Sequence, residues 1–215
     1  MTAGAFISLL QGAGMTLFIS GAGIVLGVPL GLVLALVRWG RVPVLGKIVA
    51  VYVSLLRSVP AVTLILLIFF AVPTIGPEIG PITAAIVMLT LNTAAFNCEI
   101  WRAGLNNFPA DQLEASRAFG MTPLLRFRRI IFPQLWRSSL PPLINEMTML
   151  IKSSPAIAVV GVVEITRAAT RIGAQTYDPL PPMIVATVLY VLVIMLFVGL
   201  QRITERRYGQ IGAEA

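Results

Sequence analysis

Residues 109–133 read PADQLEASRAFGMTPLLRFRRIIFP, a polar, arginine-rich stretch between long apolar runs. It is too long and too patterned for a simple connector. Asp111 followed three residues later by Glu114 has the form of a capped helix start. Gln112 to Phe119 suits a short helix, and Gly120 can end it in the left-handed conformation. Thr122-Pro123 opens a second expected helix carrying Arg126, Arg128 and Arg129. Such helices, lying along a membrane surface, suit either docking of a partner or rest on anionic lipid.

Outward from this stretch the chain is greasy. Of 215 residues 57% are apolar, 16 are Lys or Arg and 9 are Asp or Glu, and mean hydropathy is +0.90. Soluble domains of this size are rarely so apolar. Five apolar runs, near 15–37, 49–72, 81–104, 139–163 and 181–203, each match the roughly 20 residues that a hydrocarbon core demands. The expectation is an all-α, multi-pass membrane protein forming one domain over 1–215. Residues 1–14 lack a basic n-region and lead into a full-length span, so the first helix is expected to be retained.

The basic residues sort by interval. Arg38, Arg41 and Lys47, then Arg117, Arg126, Arg128, Arg129 and Arg137, then Arg202, Arg206 and Arg207 fall on one side; Arg167 and Arg171 fall on the other. This bias predicts an N-terminus outside and a C-terminus in the cytoplasm, with the loop 105–138 cytoplasmic. The positive charge therefore serves topology and does not call for nucleic acid. Histidine is absent, which removes imidazole metal sites and a Ser-His catalytic pair. Cys98 is the one cysteine, so no internal disulfide can form.

Three basic residues, Arg57, Arg102 and Lys152, lie within spans. A charge at mid-membrane costs ~2.5–3.5 kcal/mol on insertion scales, so each needs a partner, water or snorkelling. Two of them sit in an echo. Leu56-Arg57-Ser58-Val59-Pro60-Ala61-Val62 and Ile151-Lys152-Ser153-Ser154-Pro155-Ala156-Ile157 share the order apolar, basic, Ser, any, Pro, Ala, β-branched, 95 residues apart. Each proline is expected to free the carbonyl four residues earlier, Leu56 and Ile151. Interrupted helices at corresponding places point to a transport site, although kinks and snorkelling of Arg57 are the plain alternative. In the third span Asn92, Glu99 and Arg102 form one polar stripe, with Glu99 and Arg102 spaced to pair, and Thr90, Thr93 and Asn97 form another. In the fourth, Asn145, Thr148 and Lys152 align, while Glu146 shares a face with Ser153. These stripes suit a water-filled path or interhelical hydrogen bonds.

Glu114-Ala115-Ser116, Gly120, Ile130 and Phe132-Pro133 resemble in order and spacing the EAA loop of permease subunits in binding-protein-dependent ABC importers. Ser116 stands where that pattern has a second alanine, and Phe132 where it usually has leucine. Gly14-Met15-Thr16-Leu17, Leu56 to Pro60, Asn92 to Gly104, Ile130 to Gln134 and Leu140-Pro141-Pro142 resemble segments of the polar amino acid uptake branch. The likeness runs from about residue 14 to residue 208.

The resemblance implies a permease of about five helices that works as a dimer with an identical or homologous subunit in the bacterial cytoplasmic membrane. A separate ATPase subunit, holding ATP and Mg, would grip the coupling loop at 109–133 through Asp111, Glu114, Ala115, Ser116, Gly120, Ile130 and Pro133. An extracytoplasmic solute-binding protein would deliver substrate. The permease itself would hydrolyse nothing and bind no cofactor. Arg57, Pro60, Asn92, Glu99, Arg102, Lys152, Ser153 and Pro155 are the expected path residues. Ser153 stands where the branch often has aspartate, so a zwitterionic or acidic amino acid, or a compact derivative, fits better than one with a second positive charge. Arg102 or Lys152 would then meet the substrate carboxylate. The runner-up is an ion-coupled carrier, which would rely on Glu99 or Glu146. An intramembrane hydrolase fares poorly, since Asp111 and Asp178 lie in expected loops.

Overall fold

The computed structural model describes residues 2–208, apart from the side chains of Leu200 and residues 204–208. The side chains of Arg206 and Arg207, and the ends of the single-domain reading at Met1 and 209–215, lie outside the described residues. What is described is helical: α1 (Ala3–Trp39), α2 (Pro43–Ser58), α3 (Ala61–Ile75), α4 (Pro81–Asn106), α5 (Ala110–Ala118), α6 (Pro123–Arg126), α7 (Phe132–Ser153), α8 (Ile165–Thr176) and α9 (Leu180–Tyr208). A π-helical turn, Phe127–Ile131, joins α6 to α7, and a 3-10 segment, Ser154–Val160, continues α7. Among the described residues four helical stretches are long and apolar enough to cross a membrane. The bent pair α2 and α3 makes up to five.

The boundaries differ from the expected spans where local chemistry intervenes. The first helix starts at Ala3, not near residue 15, because Thr2 caps it by accepting from the Ala5 N–H and no proline interrupts 3–14. Leu9 on this extra length is fully buried against Ile165, Ala168 and Ala169 of α8. The span expected over 49–72 is not one helix. It turns through 115° between Ser58 and Ala61. Pro60 lacks an amide hydrogen and forces Val59 into extended backbone (φ −87°, ψ 129°), so α2 ends and α3 starts afresh with the Leu64 N–H donating to the Pro60 carbonyl.

The second proline break takes another form. Pro155 stops the α-helical pattern, but the Ser154 N–H reaches the Ile151 carbonyl, so that oxygen is satisfied by 3-10 geometry and is not left free as the sequence suggested. The segment ends at Gly161, whose φ of +105° suits glycine. The two continuations then meet: Leu64, Ile65 and Ile68 of α3 share a buried cluster with Leu150, Ile157 and Val160.

The fourth span starts earlier than residue 139. Helical backbone runs from Pro123 to Val160. Pro133 offers no N–H to the preceding turn, and the Phe132 N–H instead bonds five residues back to the Phe127 carbonyl, widening one turn without breaking the rod. The interval 164–180, which lies between the fourth and fifth expected spans, contains α8. Ile165, Ala168, Ala169 and Ile172 recur at helical spacing and are buried, while Glu164 caps the start through the Thr166 and Arg167 N–H groups at 2.8 and 2.6 Å.

The most extensive helix contact is between α1 and α4. Gly23, Gly27 and Gly31 form a stripe against Leu89, Thr93 and Asn97, and a Cβ at these glycines would lie 2.8, 2.6 and 2.9 Å from side-chain atoms of those residues. Small residues at four-residue spacing let two backbones approach, which is how helices associate where lipid removes the usual hydrophobic drive. The Thr93 and Asn97 stripe is thus a helix-packing surface, not the lining of a path. Opposite faces expose Phe18, Val25, Met195 and Leu196, apolar side chains suited to lipid.

Candidate translocation cleft and coupling loop

A cleft of about 970 Å³ opens between α4, α7 and the start of the loop that follows α4. Arg57, Phe96 and Glu99 line it, with Asn145 and Glu146 from α7 and Phe108-Pro109 at its loop end. Arg57 lies on the last turn of α2, and the Pro60 corner holds that turn apart from α3. Its guanidinium sits 5.2 Å from the centroid of the Phe96 ring, a cation–π contact that partly compensates an exposed charge within a span.

Glu99 is the hub of an ion triad. Arg102 donates from Nε and Nη2 to its Oε2 at 2.9 and 2.6 Å, and Arg38, from the end of α1, donates to Oε1. The Glu99–Arg102 spacing was legible. Arg38 lies just beyond the first expected span, and only the packing of α1 on α4 carries it to Glu99. Its position one residue inside the α1 terminus was the available signal. A second, smaller cavity of about 240 Å³ adjoins the triad, lined by Arg38, Trp39, Arg41, Arg102 and Asn106.

The remaining expected path residues do not join this cleft. Asn92 is half-buried on α4 and lines neither described cavity; Pro60 is exposed at the corner. Lys152 and Ser153 are exposed at the change from α-helix to 3-10 helix, with Pro155 half-buried beside them, and the Ser153 hydroxyl donates to the Met149 carbonyl. The aligned Asn145, Thr148 and Lys152 divide: Asn145 faces the cleft, while Thr148 is buried and donates to the Asn145 carbonyl. Glu164 was missed altogether. Fully buried, it accepts from the Tyr190 hydroxyl at 2.6 Å, and Arg167 donates to the Ala158 carbonyl, so α8, α9 and the 3-10 segment are tied together. Among the described residues no three of the metal-binding types come together.

The loop folds as a helical hairpin. Asp111 and Glu114 do not form a capping box: the N-cap is Pro109, which offers no side-chain acceptor, and Asp111 instead sits in the first turn, where its charge suits the helix dipole. Glu114 and Ala115 are exposed, whereas Ser116 is buried and donates to the Leu113 carbonyl at 2.7 Å. Gly120 takes a φ of +71°, and Met121 returns its N–H to the Ser116 carbonyl. Gln134 on α7 donates to Gln112 on α5 at 2.8 Å, a direct tie between the short helix and the long one. Ile130 lies on the π turn and Pro133 at its exit, so both belong to that rod. Phe119 is 87% exposed at the tip.

An all-helical bundle with a proline-broken span, a charged cleft and a short helix hung on a long rod is the architecture of an importer permease. The chain belongs to the family of binding-protein-dependent transport system inner membrane components, whose model matches residues 27–210. It is a multi-pass protein of the cytoplasmic membrane and the permease component of an ATP-driven importer.

Among its relatives, the probable amino-acid ABC transporter permease protein YckA of Bacillus subtilis (strain 168) is 32% identical over 204 residues, 95% of this chain and 90% of that one. The arginine transport system permease protein ArtQ of the same organism is 32% identical over 93% of this chain and 91% of its own length. The crystal structure of an amino acid ABC transporter with histidines superposes with a TM-score of 0.86 at 30% identity, covering 96% of this chain and all of that one. An inward-facing MetNI methionine ABC transporter gives 0.76 at 26% identity, covering 96% and 99%. These likenesses support the ATP-driven reading and not the ion-coupled one.

Proposed function

We propose that this chain forms one half of a dimeric translocation path for a polar amino acid or amino-acid derivative, with its N-terminus outside, its C-terminus in the cytoplasm and 109–133 as its cytoplasmic handle. A partner ATPase subunit, carrying ATP and Mg, binds α5. A solute-binding protein delivers substrate from outside, and an identical or homologous permease closes the path. The observation that carries this reading is mechanical: α5 is exposed at Glu114 and Phe119 yet tied to α7 through Gln112 and Gln134. A push on α5 therefore moves a rod running from Pro123 to Val160 as a body. Asp111, Glu114, Ala115, Ser116, Gly120, Ile130 and Pro133 make up this handle.

The substrate class rests on the relatives, whose names specify arginine, cystine and nopaline. Arg57, Pro60, Asn92, Glu99, Arg102, Lys152, Ser153 and Pro155 are assigned to the path. Within that set Arg102 commits two donors to Glu99 and Arg57 lies over the Phe96 ring, which leaves Lys152, exposed and held by no hydrogen bond or ion pair among the described residues, as the cation for a substrate carboxylate.

Two experiments test this. Co-purification of the ATPase with Glu114→Arg combined with Gly120→Pro is expected to fall about tenfold, the scale of losing one interface hot spot. Equal recovery with the wild type removes the docking role. In proteoliposomes holding the assembled complex, Lys152→Met is expected to raise the half-saturating substrate concentration about tenfold, the worth of a hydrogen bond to a charged group. Unchanged uptake kinetics reduce Lys152 to a structural residue.

A further inference from the structure

The small cavity beside the ion triad is unlike the cleft in its chemistry. Three guanidiniums, Arg38, Arg41 and Arg102, share its wall with Trp39 and the Asn106 amide. One carboxylate, Glu99, answers two of these cations, so the site keeps an excess of positive charge. Arg102 spends Nε and Nη2 on Glu99, and its Nη1 remains to be satisfied. The side chains of Arg41, Trp39 and Asn106 make no hydrogen bond or ion pair among the described residues.

The backbone holds Arg41 in this arrangement at a cost. Its φ is +52°, in the left-handed region that non-glycine residues seldom occupy, and its N–H returns to the Arg38 carbonyl at 3.1 Å. Gly40 and Arg41 thus turn the chain back immediately after α1 and bring a third cation to the two already gathered at Glu99. Local strain of this kind is kept where surrounding structure over-determines it, commonly at ligand clamps.

Position narrows the ligand. The cavity lies at the ends of two long apolar helices, α1 at Trp39 and α4 at Asn106, on the side of the bundle that carries the 107–131 loop. Tryptophan at such an end matches headgroup depth. Basic pockets between helices at this level suit anionic phosphate, and guanidinium forks match its geometry.

We infer that the Arg38–Arg41–Arg102 cavity binds a phosphate group at the membrane surface, with Arg41 supplying the uncommitted guanidinium, Arg102 its free Nη1, and Trp39 and Asn106 neutral donors. The ligand chemistry is a phosphate diester or monoester, available from an anionic phospholipid headgroup or from solution. Occupancy neutralises the excess charge and locks the α1 end against the α4 end beside the coupling loop. The site shares Arg102 with the residues assigned to the path but opens into a different cavity from the cleft, and it does not depend on Lys152 or on the solute.

The test uses the full-length chain in nanodiscs of phosphatidylcholine, with or without phosphatidylglycerol, and in phosphatidylcholine discs with added inorganic phosphate. Thermal unfolding is read, together with retained lipid by native mass spectrometry. The wild type is expected to be stabilised by phosphatidylglycerol, and Arg41→Gln to weaken that lipid's apparent affinity about fivefold, the worth of one basic residue near an anionic surface. Lys47→Gln, which removes a nearby exposed charge on α2 but not from the cavity wall, is expected to leave the affinity unchanged. Stabilisation by inorganic phosphate alone, again lost in Arg41→Gln, assigns the source to solution and supports the phosphate site. Equal effects of Arg41→Gln and Lys47→Gln, or no stabilisation by either phosphate source, overturn it.

Discussion

Gly27→Val is expected to unfold this protein more readily than any other single change considered. A Cβ at Gly27 would stand 2.6 Å from the Thr93 Cβ, 2.7 Å from its Cγ2 and 2.9 Å from the Thr90 carbonyl oxygen. Two of these atoms belong to a side chain fixed at its branch point, and the third is backbone, so neither helix can yield without separating from the other. Overpacking costs ~1–3 kcal/mol where side chains can adjust. Here they cannot, and the upper end, about 3 kcal/mol, is the expected loss. For a chain of this size that lowers Tm by roughly 6–12 °C. The control is Gly21→Val on the same helix, where an added Cβ meets nothing within 4 Å; its Tm should stay near wild type. Thr93→Gly placed beside Gly27→Ala should recover part of the loss, since it removes two of the three close atoms and leaves the Thr90 carbonyl. Equal Tm values for Gly27→Val and Gly21→Val would show that the two helices do not pack through the glycine stripe.

Glu99→Ala is expected to have the second largest effect. Glu99 answers both Arg38 and Arg102, and without it two guanidiniums face one another between the ends of α1 and α4. Removing one partner from a buried pair costs ~3–5 kcal/mol, chiefly because the charge left behind is uncompensated. The Glu99, Arg38 and Arg102 side chains retain 20, 21 and 34% exposure, so water offsets part of that penalty and about 2–3 kcal/mol is the expected loss. Glu99→Gln keeps an acceptor and loses the charge, and should fall between Ala and wild type. Thermal unfolding of the three forms in one detergent checks the order. If Glu99→Ala matches wild-type stability but fails in uptake, the triad serves transport alone and not the joining of α1 to α4.

Both predictions rest on α1 meeting α4, and the sequence carried only half of each contact. Glu99 and Arg102 are three residues apart, and helical geometry brings any such pair together, so that half was readable. Arg38 lies 61 positions from Glu99 in sequence, and nothing local specifies the rotation of α1 that aligns them. The same holds for Thr93 and Asn97. Their shared face was visible, but choosing between water and a neighbouring helix required knowing that Gly23, Gly27 and Gly31 lie opposite. The glycine spacing was present as a signal of close approach, though it names no partner.

The helix α8 escaped for a different reason. Its four buried apolar positions have helical period, but they sit within 12 residues flanked by Arg167, Arg171 and Thr176, and a search for spans of membrane length passes over so short a run. The proline echo was legible as two breaks and not as two shapes. Pro60 produces a corner of 115° and Pro155 a 3-10 continuation. What differs is the neighbourhood: the Ser154 N–H finds the Ile151 carbonyl, while Val59 takes the extended conformation.

Composition and period alone therefore determined that this chain is helical and membrane-spanning, where its long polar stretch lies and which prolines interrupt it, because hydrocarbon length, missing amide hydrogens and charge cost act within a few residues. The tertiary structure decided which polar stripe is packing and which faces the cleft, that Arg38 completes the Glu99 triad, and that α5 is tied to α7. These depend on the relative rotation of helices distant in sequence. In lipid that rotation follows from close packing of small residues and from pairing of buried charges, neither of which a local reading contains.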